Sequence, residues 1–95
     1  MILLRVLMKL SVNNQLVESS ILIKYSNSDI AKTILNAVNP DNFLAPKDLR
    51  ITMTISDDTI LININSSKGI GSLLNTLDDL LECISVAEKV LNSLS

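Results

Sequence analysis

SSKGIGSLLNTLDDLLECISVAEKVLNSLS, residues 66–95, is the longest stretch of the chain with one unbroken pattern. Ile70, Leu73, Leu77, Leu80, Ile84, Ala87, Leu91 and Leu94 recur at alternating spacings of three and four, which places them on one face of an α-helix. Leu74 and Leu81 widen the stripe in its first half. Ser66 and Ser67 stand just ahead, where a serine oxygen can accept an unpaired N–H of the first turn. The pattern predicts a helix over Lys68–Ser93, spanning ~40 Å at ~1.5 Å per residue.

Cys83, Val86 and Val90 follow one another at i, i+3 and i+7 on a different side of this helix. Its C-terminal half is therefore apolar around more than half its circumference, a pattern typical of burial on more than one side. Two coverings are open for the second side: another chain, or the N-terminal segment of this one folded over it. The first is the more economical in a chain of 95 residues.

The remaining segments read as strands around one shorter helix. Ile2, Leu4, Val6, Met8, Leu10 and Val12 alternate with Leu3, Arg5, Leu7, Lys9 and Ser11, the period of a strand. A two-residue turn at Asn13-Asn14 sets Val12 opposite Gln15, Leu10 opposite Val17, Val6 opposite Ile21 and Leu4 opposite Ile23. A frayed start to the chain is the alternative. In Leu16–Tyr25, Val17, Ile21, Ile23 and Tyr25 share a face, with Glu18, Ser20 and Lys24 opposite.

Ser26-Asn27-Ser28-Asp29 then supplies caps for a helix whose apolar side is Ile30, Ala31, Ile34, Leu35, Ala37 and Val38. Asn39-Pro40-Asp41-Asn42 stops it, and Phe43–Lys47 is a loop stiffened by Pro46. Leu49, Ile51, Met53 and Ile55 form one half-buried strand and Ile60, Ile62 and Ile64 the next, joined by a turn at Ser56–Thr59. The expected fold is α+β in the order (β)βαββα: one domain over 1–95, an antiparallel sheet with both helices on its apolar face, and residues 1–15 as an extra strand and hairpin turn.

Composition narrows the chemistry. Apolar residues make up 47% of the chain, yet it holds one Phe, one Tyr and no Trp, so the core is aliphatic. With no histidine, imidazole catalysis and most zinc sites are excluded. A lone cysteine forms no disulfide within the chain, which suits a reducing cytoplasm. The apolar N-terminus is too short for the ~20 residues of a membrane span. A net charge of −2, with eight scattered basic residues, lacks the patch of a free-standing nucleic-acid binder.

No residue set nominates a catalytic, cofactor or metal site. Asp78, Asp79 and Glu82 read as a solvated helix face. Gly69-Ile70-Gly71 lacks the fuller phosphate-binding fingerprint. Cys83 has no basic neighbour and reads as a small apolar side chain.

A family resemblance gives the specific function. A strand leads into a helix with an early Ala31, then Asn39-Pro40-Asp41-Asn42 and Pro46; a hairpin over Leu49–Asn65 feeds a long helix opening Ser72-Leu73-Leu74-Asn75-Thr76-Leu77-Asp78-Asp79. Over Val17–Asn92 this resembles the CTAG/Pcc-type small subunit of the KEOPS (EKC) complex. The resemblance implies a non-catalytic homodimer that binds the N-terminal lobe of a Kae-type catalytic subunit. The complex, with a Bud-type kinase and a further small subunit, makes threonylcarbamoyladenosine in tRNA. Partner contacts in the family are helical. Leu73, Leu77, Leu80, Leu81 and Ile84 are therefore expected in core or bundle packing, and Cys83, Val86 and Val90 on the second surface. Contact with tRNA would be weak or confined to the complex, with no membrane contact and no cofactor.

Two rivals are weighed against this. A stand-alone KH-like RNA-binding module should show a GXXG clamp and a basic face, and an RRM should carry aromatics on the outward sheet face. That face reads Glu18, Ser20, Lys24, Arg50, Thr52, Thr54, Asn63 and Asn65. An acyl-phosphate hydrolase of ferredoxin-like fold expects a further strand after the second helix and an arginine in a phosphate-cradling loop.

Overall fold

A computed structural model describes residues 3–13, 16–38, 48–67 and 69–94, with side chains between Leu7 and Ser93. The elements run β1 (Leu3–Asn13), β2 (Leu16–Tyr25), α1 (Ser28–Ala37), β3 (Leu49–Ser56), β4 (Thr59–Ser66) and α2 (Ile70–Leu94). This is the expected order, with the N-terminal strand present. The strands form one antiparallel sheet in the order β1-β2-β4-β3.

Alternation decides which side of the sheet is covered. Val17, Ile21, Ile23 and Tyr25 of β2 and Ile60, Ile62 and Ile64 of β4 are buried. They pack with Ala31, Ile34 and Val38 from α1 and its end, and with Leu73, Leu77, Leu80 and Ile84 of α2. Each buried aliphatic side chain of this size contributes about 1.5–3 kcal/mol by leaving water. Among the described residues the hydrophobic core is aliphatic except for Tyr25, whose hydroxyl donates a 2.8 Å hydrogen bond to Glu88 Oε2 on α2.

The helix α1 is capped by Asn27, whose Oδ1 accepts the Ile30 N–H at 2.9 Å. Its C-cap is Val38, and Ala37 faces solvent rather than the core. The expected stop at 39–42 and loop at 43–47 lie outside the described residues. The β3–β4 turn falls on Asp57-Asp58, with Asp57 in the left-handed region at φ 57°, where Asp is among the better-tolerated residues. The long helix begins at Ile70, two residues later than predicted, after Gly69 at φ 95°. Ser66 is buried, and its hydroxyl donates to the Gly69 carbonyl at 2.7 Å.

The β1–β2 register corrects the sequence reading by two residues. Val12 faces Val17, Leu10 faces Ser19, Met8 faces Ile21 and Val6 faces Ile23. Asn13 belongs to β1 and pairs with Leu16, so it is not a turn residue; Asn14 and Gln15 lie outside the described residues. A shift of two keeps every side chain on its own face, because the strand period is two. The hydrophobic pattern is therefore blind to it.

Candidate protein interface

The long helix presents three different sides, and each has a different fate. Leu73, Leu77, Leu80 and Ile84 point into the chain's own core, with Ala87 and Leu91 half-buried behind them. Ile70, Leu74 and Leu81 flank that stripe and are exposed. Val86 follows Leu81 by five residues, about 140° further round a helix of 3.6 residues per turn. There Cys83, Val86 and Val90 form the second apolar side. Val86 is 54% and Val90 53% exposed, and Cys83 is a free, exposed thiol.

This second side has a neighbour on the same chain. Cys83 and Val86, with Glu82 and Ala87, line a shallow cleft against Ala37 at the end of α1. The residues therefore sit between two helix surfaces, one of them the exposed end of a short helix. The described part of the N-terminal segment lies elsewhere, paired along β2 in the sheet. It does not cover Val86 or Val90.

The arrangement offers shape and apolar area rather than reactive groups. Asp78, Asp79 and Glu82 are exposed, and among the described residues no group of three or more His, Cys, Asp or Glu side chains converges as a metal site. Among the described residues Tyr25 has a perturbed titration. Burial first, then the hydrogen bond and negative charge of Glu88, raise its phenol well above the ordinary value. Its place in the core makes it a tie between β2 and α2.

The helix-free face of the sheet is polar where expected. Glu18, Lys24, Arg50, Thr52, Thr54 and Asn65 are exposed, while Asn63 is half-buried and accepts a 2.8 Å hydrogen bond from Ser20. What the sequence reading missed is a row of leucines crossing it. Leu7 pairs with Leu22, and Leu22 pairs with Leu61. Each is one departure from alternation within its own strand, and only the register joins them.

The family model described as transcription factor Pcc1 matches residues 18–92 of the 95-residue chain. The chain belongs to the Pcc1 family. This is a family of KEOPS subunits, non-catalytic members of a protein complex. The match takes in β2, α1, β3, β4 and nearly all of α2. No curated protein matches the chain. Among the described residues no helix is long and apolar enough to cross a membrane.

Proposed function

We propose that the chain is a dimerisation and adaptor subunit of the KEOPS complex. In this reading it binds the Kae-type catalytic subunit and supports threonylcarbamoyladenosine modification of tRNA in the cytoplasm, with no catalysis of its own. Contact with tRNA is weak or made only within the complex. Membership of the Pcc1 family carries this reading. The apolar side of α2 supports it physically. Val86 and Val90 are exposed, Val86 beside the end of α1, and a partner helix laid there would remove apolar area from water at ~25 cal/mol per Å². We assign Cys83, Val86 and Val90 to the catalytic subunit, and Leu81 to the edge of that bundle. Leu73, Leu77, Leu80 and Ile84 hold the helix in place from within.

Light scattering tests the reading. The expected mass is twice the 10.4 kDa of one chain, rising further when a Kae-type subunit is added. Val86→Asp should weaken uptake of that subunit at least tenfold while leaving the unfolding free energy within about 0.5 kcal/mol, since the position is exposed. Unchanged uptake by the variant would remove this side of α2 from the interface. Failure of the unmodified chain to take up the subunit would refute the adaptor role.

A further inference from the structure

The strand β1 is an open edge of the sheet. It forms one end of the sheet order, and among the described residues no element pairs with its outer side. An edge strand of this kind leaves N–H and C=O groups directed outward from about half its residues. Natural edges are usually short, charged, kinked or covered. This one is eleven residues long, carries only Arg5 and Lys9 as charges, has no proline, and is irregular only between Leu3 and Arg5, so Arg5–Asn13 runs as an even ladder. It is also apolar on both faces. Met8, Leu10 and Val12 lie on the helix side at 56%, 47% and 58% exposure, while Leu7 is exposed on the other.

The strand is complementary to itself. Met8 is the midpoint of Leu3–Asn13. A second copy laid antiparallel about a two-fold axis through Met8 pairs residues 5–11 of each chain with 5–11 of the other, clear of the irregularity between Leu3 and Arg5. In that register Lys9 stands opposite Leu7 and Arg5 opposite Ser11, so no like charges are directly opposed, which is what destabilises cross-strand pairs. Centring on Lys9 would oppose the two lysines; centring on Leu7 would set Lys9 against Arg5. Met8 of each copy meets its counterpart, and Leu10 stands opposite Val6.

From these features we infer that β1 is the surface through which two copies of this chain associate, joining their sheets edge to edge about Met8. The surface lies almost wholly outside residues 18–92, the part matched to the family. The inference deepens the homodimer part of the proposed function and rests on it; binding of the catalytic subunit through α2 is independent of it.

The register gives a direct test in the full chain. In a Cys83→Ser background, Met8→Cys places two thiols opposite each other across the axis. Opposed residues in antiparallel strands have Cα atoms ~4.5–5.5 Å apart, inside the ~4.4–6.8 Å that a disulfide spans. Leu10→Cys is the control, since its counterpart lies four residues away, about 13 Å along the strand. Mild oxidation should cross-link Met8→Cys at least tenfold faster than Leu10→Cys. Leu10→Lys should convert the dimer to monomer with the far-ultraviolet circular dichroism unchanged. A dimeric unmodified protein in which Met8→Cys does not cross-link, Leu10→Cys cross-links faster, or Leu10→Lys still dimerises overturns the β1 surface and spares the homodimer. A monomeric unmodified protein overturns both.

Discussion

The two edges of this sheet are finished in opposite ways. On β3, Leu49 is buried and Ile51, Met53 and Ile55 are half-buried and packed against the core, while Arg50, Thr52 and Thr54 face water on the other side. On β1, Met8 is exposed although its register partner Ile21 is buried. The two residues share one side of one sheet. The difference is cover: α1 packs on β2, β3 and β4, and α2 lies over β4, so two helices suffice for three strands and leave the fourth bare. The residues matched by the family are those three strands and two helices. The strand β1 is an addition that brings apolar side chains without bringing anything to hide them.

The largest effect that would sharpen this contrast compares Leu80→Ala with Met8→Ala. Leu80 is fully buried under the sheet, and its truncation should cost about 2–5 kcal/mol in urea unfolding, transfer and cavity terms together. Met8→Ala, measured at concentrations where the protein is monomeric, should cost less than about 1 kcal/mol, because water already reaches the side chain. Equal costs would break the contrast and mean that the helix side of β1 is covered.

The next effect probes where cover ends along β2. Tyr25 ends that strand and is tied to α2 through Glu88. Tyr25→Phe should destabilise by about 1–2 kcal/mol, since it leaves a half-buried carboxylate without its donor. It is the only tyrosine in the chain, so its ultraviolet titration is free of overlap. A phenol raised in the fold keeps a proton that the unfolded chain releases near pH ~10. The stability it confers is thus complete below that pH and falls as pH rises beyond it. Phenolate absorbance should appear only as the protein unfolds. Free titration near pH 10 in the folded state would show that Tyr25 is not held between the layers.

How much of this was legible in the sequence follows from what each pattern measures. The spacing of Leu73, Leu77, Leu80 and Ile84 reports one helix face, and that face is the buried one. Ile70 has the same spacing but stands at the helix start, where little lies beneath it, and it is exposed. Alternation in β1 reports that Met8, Leu10 and Val12 share a side with Ile21 and Ile23. It does not report whether a helix reaches that far, which depends on the placement of elements distant in sequence. The Leu7–Leu22–Leu61 row and the two-residue register shift escaped for the same reason. Both live in strand pairing, and single-strand periodicity contains no term for it. The apolar side at Cys83, Val86 and Val90 was visible as a pattern, whereas its position beside Ala37 needed the packing of α1 on α2.

The smallest effect lies on the boundary between the covered and bare regions. Ser19 is buried, and its hydroxyl has no hydrogen-bond partner among the described residues. It stands between Ile64 of β4, which is buried, and Leu10 of β1, which is exposed. A buried hydroxyl without a partner forfeits its hydration and gains nothing in exchange, a penalty of about 1–3 kcal/mol. Ser19→Ala removes the hydroxyl and little volume, so it should raise stability by about 0.5–1 kcal/mol, part of the penalty being offset by lost contacts. The measurement is again a urea midpoint at unchanged slope. If Ser19→Ala instead destabilises, the hydroxyl is hydrated at its site, water enters between β1 and the helices, and the boundary of the covered core lies at β2 itself. A gain in stability shows that the site is dry and that cover extends across the whole of β2, with β1 bare beyond it.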